Sequence, residues 1–351
     1  MEQSLTVVSI GRHTRLTQAL QYALSGVPHD MAIIDTEGDM PCLRGKRVLF
    51  ALSVGAYGLS AELCRLLLHL RAQADALDGS VAALLIDGES ELYTKQLAQM
   101  LVLSANGAGC CFIGKPLVEG TGSLANLAIH AGLRGGSLLN AYCETARGLV
   151  ERLRAFQPPQ YAKPRMLVLH ASDHATSNTL DLSGAVCTKL AGAFDIRELS
   201  LQNGAIMDCR GCSYKTCAHF AQHNACFYGG VMVDDVFPAL LNSQVLLLLC
   251  PNYNDSVSAN IMAFINRLTV LLVNNAFYST YLYAIVVSGY SGGDLVAQQV
   301  LGALCLNKTF LLPPRFCLLQ TACDPGAALK LPGIQEQIDS FAQSMLDTVV
   351  G

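Results

Sequence analysis

The 351-residue chain has no tryptophan and little charge: charged residues make up 14% and apolar residues 52%, with a formal net charge of −4. Without an excess of positive charge there is no electrostatic footprint for nucleic acid, which is set aside as a partner. So apolar a composition is what sheets covered by helices on both faces require. The start, Met1-Glu2-Gln3-Ser4, lacks the basic flank and long apolar core of a secretory signal. A continuous membrane span is missing too. No charge occurs over the 26 residues from Leu268 to Gly293, yet Asn274, Asn275, Ser279 and Thr280 interrupt them. A span needs about 20 predominantly apolar residues in one helix. This stretch reads instead as a helix end, a loop and a buried strand. The expectation is a soluble, cytoplasmic protein with no membrane partner.

Proline is sparse, with 12 in the chain, and clusters between regular patterns only at Phe156-Gln157-Pro158-Pro159-Gln160-Tyr161-Ala162-Lys163-Pro164. Such a stretch continues neither a helix nor a central strand. Residues 156–164 are therefore expected to link two domains, 1–155 and 165–351, a division that suits this length. The second half alternates expected strands (Met166–His170, Phe194–Leu199, Val245–Cys250, Tyr283–Ser288 and Thr309–Leu312) with helices (Ser177–Leu190, one opening at Asp234-Asp235, Val257–Leu272, Leu295–Leu304 and Gln335–Leu346). That order predicts an α/β fold with a doubly wound parallel sheet.

The first half repeats the plan. Phe50 through Ala61 falls into register with Leu248 through Ala259, so that Ser60-Ala61 matches Ser258-Ala259, and Ala83 through Gly88 parallels Ile285 through Gly289. The expected architecture is two such domains in tandem, from an internal duplication or from chance likeness between two α/β domains. The copies differ at their loops: the first has Ser9-Ile10-Gly11-Arg12-His13-Thr14-Arg15 where the second has a hydroxyl-rich run, Ser53 for Pro251 and Gly55 for Tyr253. The first domain is expected to keep the fold and to have lost the ligand.

Three loops of the second half carry the chemistry. Ser172, His174, Ser177, Asn178 and Thr179 follow the first expected strand, Pro251, Asn252, Tyr253 and Asn254 the third, and Gly289, Tyr290, Ser291, Gly292 and Gly293 the fourth. Loops at the carboxyl ends of parallel strands line one crevice. Hydroxyls and N–H groups at a helix start satisfy phosphate oxygens. An aromatic loop and a glycine loop beside them suit a flat ring. Taken alone, the first loop reads equally as a polar turn with an ordinary cap.

Pro251 through Ala259 with Phe264-Ile265-Asn266-Arg267, together with the Ser172–Thr179 loop and the Gly289–Gly293 loop, resembles the NADPH-dependent FMN reductase and flavodoxin-like family over about Met166 to Leu312. The resemblance implies a flavodoxin-like fold, FMN with its phosphate on the first loop and its ring along Tyr253, and NAD(P)H as co-substrate. It also implies a small-molecule or protein electron acceptor, and a dimer that builds the site across its interface. The first domain would stand in for the second subunit as an intramolecular pseudo-dimer, or whole chains would pair as a homodimer. Asp173-His174 replaces the Pro-Arg usual in that family, which shifts phosphate binding toward neutral donors.

Fourteen cysteines suggest no disulfide framework in a chain this long. Cys42, Cys64, Cys187, Cys250 and Cys305 sit among apolar neighbours and are expected in the core. Cys209, Cys212, Cys217 and Cys226 are denser, with gaps of two, four and eight residues. Relatives of the iron-sulfur flavoprotein type carry four cysteines there around a [4Fe–4S] cluster, with more compact spacing. Structural zinc, with His219 or His223 as substitutes, and free thiols are the alternatives. The expected function is an FMN-dependent NAD(P)H oxidoreductase, with an electron carrier fed by a protein partner as its competitor and a zinc-stabilised, non-enzymatic scaffold as a third reading.

Overall fold

A computed structural model describes residues 4–351 except 36, 38, 39 and 205. The chain divides into two compact units, Met1–Gln157 and Pro158–Gly351. The first contains β1 (Leu5–Ile10), α1 (Thr14–Ala23), β2 (His29–Ile34), β3 (Arg47–Val54), α2 (Ala61–Ala72), β4 (Val81–Gly88), α3 (Thr94–Gly107), β5 (Cys111–Gly120), α4 (Ala128–Arg134) and α5 (Leu138–Ala155). All pairings in its five-stranded sheet are parallel, in the order β2-β1-β3-β4-β5. β4 is buried along its whole length, as a strand covered on both faces must be.

The second unit contains β6 (Arg165–His170), α6 (Asn178–Leu190), β7 (Asp195–Ser200), α7 (Tyr214–Ala221), α8 (Phe237–Leu241), β8 (Val245–Pro251), α9 (Ala259–Arg267), β9 (Tyr281–Ser288), α10 (Gly293–Leu301), β10 (Cys317–Thr321) and α11 (Ile334–Val349). Its parallel sheet runs β10-β9-β8-β6-β7. Counted within each unit, both sheets have the order 2-1-3-4-5, the flavodoxin-like winding. Ser60 and Ser258, aligned by the repeat, do the same work: each caps its helix by accepting from the N–H three residues on, Leu63 and Ile261.

Several elements differ from the sequence expectation. The fifth strand is not Thr309–Leu312. That stretch makes a single bridge, Leu311 to Tyr281, and Pro313-Pro314 stop it from extending, so the edge strand forms later at Cys317–Thr321. The helix placed at Asp234-Asp235 already contains both residues in a wide turn, Met232–Val236, whose closing bond runs from the Phe237 N–H to the Met232 carbonyl. Such a turn accommodates Pro238, which has no N–H to give. A second wide turn, Gly302–Leu306, extends α10. α9 ends at Arg267 rather than 272, with a short 3₁₀ turn at Leu271–Val273 beyond it.

The proline stretch is pinned to the second unit. The Tyr161 N–H donates to the Val349 carbonyl at 2.9 Å, and the Tyr281 hydroxyl to the Pro159 carbonyl at 2.8 Å. Residues 268–293 are a helix end, a loop and β9, and no helix among the described residues is long and apolar enough to cross a membrane. Cys250 and Cys305 are buried and Cys187 half-buried, but Cys42 and Cys64 are exposed. On α2 the buried stripe is Leu63, Leu66, Leu67 and Leu70, and Cys64 lies off it.

Candidate functional site

In the second unit the winding reverses between β6 and β8, the switch point where ligands of open α/β sheets bind beyond the strands' carboxyl ends. A hollow of about 620 Å³ lies there, lined by Ala171, Gln202, Tyr253, Ser258 and Asn260 among others. On one side is the hydroxyl loop. The Ser177 Oγ caps α6 by accepting from the Leu180 N–H at 3.3 Å, and it lies 2.8 Å from the Thr179 Oγ1. The Ser172 Oγ is 3.5 Å from the same Thr179 hydroxyl. Three hydroxyls therefore gather where the first N–H groups of α6 lack acceptors within their own helix. Together they offer donors of the kind that phosphate oxygens accept from.

Asn178 is placed differently. Its amide nitrogen donates to the carbonyls of Ala322 and Asp324, at 3.3 and 2.9 Å, and its Oδ1 accepts from the Ala328 N–H at 3.1 Å. The side chain braces the 322–328 loop, leaving only the backbone N–H of Asn178 for a ligand. His174 is largely exposed, and its Nε2 lies 3.3 Å from the Glu198 Oε1.

The second and third loops form one unit. Tyr253 and Ser256 exchange backbone hydrogen bonds across Asn254 and Asp255, whose φ angles of 52° and 58° make a tight left-handed turn. This turn holds Tyr253 half-exposed at the mouth of the hollow. The Asn252 amide donates to the Ser291 carbonyl at 2.8 Å and to the Ser288 hydroxyl at 3.2 Å, tying loop to loop. Its buried Oδ1 has no partner, an acceptor left for a ligand N–H. Gly292, at φ +80°, comes so close that a Cβ there would sit 1.9 Å from the Asp255 Oδ1. Tyr290 projects fully into solvent, while Pro251, the last residue of β8, pairs with Val287. Asn254, Ser291, Gly289 and Gly293 shape the backbone of this rim.

The four cysteines occupy the segment between β7 and the Met232 turn. Burial, and then the nearness of Cys212, Cys209 and Cys226, push the Cys217 thiol upward. Among the described residues no three of the thiols lie within 4.8 Å of one another. Tetrahedral zinc holds sulfurs about 3.8 Å apart, given Zn–S bonds near 2.3 Å, so a zinc site is not preformed, whereas a four-iron cube holds its ligands wider. Buried Arg267 braces both ends of the segment, donating to the Met207 carbonyl at 3.3 Å and the Gly229 carbonyl at 2.9 Å. Asn274 holds the Ala221 carbonyl.

At the corresponding edge of the first unit, charged side chains pair with one another beside a hollow of about 520 Å³ lined by Arg12, His13 and Thr14 among others. Fully buried Asp87, near the end of β4, pairs with the His13 Nδ1 and, at 2.7 Å, with the Arg15 Nε. The Arg15 guanidinium also donates to the carbonyls of Gly88, Thr121 and Gly122. Glu89 accepts from the Ala56 N–H and Glu91 from the Ser123 N–H, and bonds from Thr121 and Ser123 hold the Glu91 carboxyl below its ordinary range.

Sequence reasoning missed Gln202, Asn260, His170 and Glu198. His170 is the last residue of an apolar strand, a signal that was available. It is buried, and that burial outweighs nearby Glu198 and holds its imidazole below the ordinary range.

The winding, with a hydroxyl-capped helix and an aromatic rim at the switch point, defines a flavodoxin-like lobe. Residues 164–322 match the model of the NADPH-dependent FMN reductase family. No curated protein matches the chain in sequence. Among solved structures it is similar to RosB with a bound 8-demethyl-8-formylriboflavin-5'-phosphate intermediate (13% identity, 52% of this chain, 80% of that one, TM-score 0.39). Further similarities are to a putative quinone reductase from Klebsiella pneumoniae (14%, 53% and 84%, TM-score 0.37) and to the NAD(P)H:quinone oxidoreductase from Methanothermobacter marburgensis (15%, 52% and 94%, TM-score 0.38).

Proposed function

We propose that the second unit binds FMN and that the chain is an FMN-dependent NAD(P)H oxidoreductase. The observation that carries this reading is the meeting of the Ser172, Ser177 and Thr179 hydroxyls at the start of α6, on the same sheet edge as the orphaned Asn252 Oδ1 and the hollow that Ala171 and Tyr253 line. Ser172, Ser177, Thr179 and the first N–H groups of α6 would hold the phosphate; Asn252 and Tyr253 would hold and flank the ring. FMN held there would supply two-electron redox chemistry between a reduced nicotinamide and an acceptor such as a quinone or another small molecule. The protein's own task is to orient the ring and to leave one face open, which the half-exposed Tyr253 and the tight Asn254-Asp255 turn accomplish. The first unit lacks the hydroxyl run of Ser172 to Thr179 and pairs Asp87 with His13 and Arg15 at that edge, which favours one flavin per chain.

The cysteine segment favours a second element, a [4Fe–4S] cluster on Cys209, Cys212, Cys217 and Cys226. Arg267, buried and bonded to carbonyls at both ends of that segment, supplies a cation suited to an anionic cluster. Mixing anaerobically purified, flavin-loaded protein with NADPH, and separately with NADH, tests both readings. The reductase is expected to bleach within seconds. No bleaching by either nucleotide, with full reduction by dithionite, would instead mean a carrier that draws on a protein partner. The same sample should contain about four iron and four sulfide per chain. Cys217→Ser should lose both, and stoichiometric zinc with no iron would contradict the cluster.

A further inference from the structure

We propose that His170, His174 and Glu198 form a binding site for a first-row divalent cation, zinc by preference, beside the hydroxyl loop of the second unit. His170 ends β6, His174 lies in the loop and Glu198 stands on β7, so strand pairing and one short loop bring the three together. Their ligand atoms all lie within 4.8 Å of one another. The His170 Nε2 and the His174 Nε2 are each 3.3 Å from the Glu198 Oε1. Zinc binds nitrogen and carboxylate oxygen at about 2.0–2.1 Å, which makes the edge of its tetrahedron about 3.3 Å. Both measured edges have that length.

A second observation points to a ligand. His170 is 1% exposed, and its Nε2 has no hydrogen-bond partner. Its charged neighbour is the Glu198 Oε1 at 3.3 Å. A buried nitrogen without a partner is costly, and a metal ion would satisfy it. Two imidazoles and one carboxylate are a set that suits zinc and leaves a fourth position for water. His174 and Glu198 are exposed, so the ion can enter.

The site has a use. From Ala171 to Thr179 the loop contains no lysine or arginine. A cation held by His174 places positive charge among hydroxyls that otherwise offer only neutral donors. Binding at the His170 Nε2 puts the ring proton on Nδ1, which now accepts from the Ser172 N–H at 3.3 Å. That N–H must then turn away from the ring, so occupancy of the site and the conformation of the loop are coupled.

The test uses the full chain, free of flavin, so its outcome is separate from that of the cofactor reading. Zinc binding is followed by competition with a chromophoric chelator, and cobalt replaces zinc for spectroscopy. Wild type should bind one zinc more than the His174→Ala, Glu198→Ala double variant, both of whose changes lie on exposed side chains. Glu198→Gln, which keeps shape and polarity, should weaken that site more than about tenfold. The cobalt difference spectrum between wild type and double variant should show tetrahedral ligand-field bands without a thiolate charge-transfer band, separating the site from the cysteine segment. Equal zinc stoichiometry and affinity in all three proteins, or a difference spectrum dominated by sulfur ligation, would overturn the proposal.

Discussion

Arg15→Met should destabilise the first unit by about 3 kcal/mol, as expected when a buried ion pair loses one partner. Asp87 has no solvent contact, and Arg15 both neutralises it and satisfies three carbonyls at the ends of β4 and β5. The variant leaves those carbonyls bare and His13 as the remaining partner of Asp87. Urea unfolding of the full chain, followed by circular dichroism, should show an early transition that wild type lacks. The Arg15→Met, Asp87→Asn double variant removes the charge with its partner and should recover part of the loss, because neighbouring groups are not additive. An unshifted unfolding curve for Arg15→Met would show that the pair does not hold that crevice together.

Gly292→Val should give the largest effect on the second unit. At φ +80° a β-branched residue is strained by about 2 kcal/mol or more. Its Cβ would also displace the Asp255 carboxylate and crowd the Asn252 amide, whose bonds to Ser288 and Ser291 join the two ring-side loops. The expected result is a folded chain with lower stability and flavin affinity reduced at least about tenfold, a loss equivalent to 1.4 kcal/mol. Flavin retained through purification at the wild-type level would show that loop closure at Gly292 is not needed for binding.

Much of the fold was legible because most of its strands are short apolar runs and some of its helices start at serine caps. Ser177 and the aligned pair Ser60 and Ser258 were readable, since a cap needs only a hydroxyl before an apolar-periodic stretch. The fifth strand was not. Phe310, Leu311 and Leu312 are apolar and buried, as a strand's residues would be, yet Pro313-Pro314 hand the edge position to Cys317–Thr321. Side-chain direction was equally hidden. Asn178 sits in the correct loop but turns toward residues 322–328, which are 144 or more positions away in sequence. Glu198, one carboxylate in an ordinary edge strand, gains meaning only when β7 pairs with β6 and brings it to His170.

The central claim is that the loop from Ser172 to Thr179 grips a phosphate whose attached ring lies beside Tyr253. Titration of the flavin-free chain with FMN and with riboflavin, followed by flavin fluorescence, tests it most directly. Saturation at one FMN per chain is expected, with riboflavin bound at least about tenfold more weakly, since charge-assisted hydrogen bonds to the phosphate contribute about 1.5–3 kcal/mol. Ser177→Ala with Thr179→Ala should narrow that gap from the FMN side. No binding of either flavin, or equal affinity for both that is unchanged in the double variant, would contradict it.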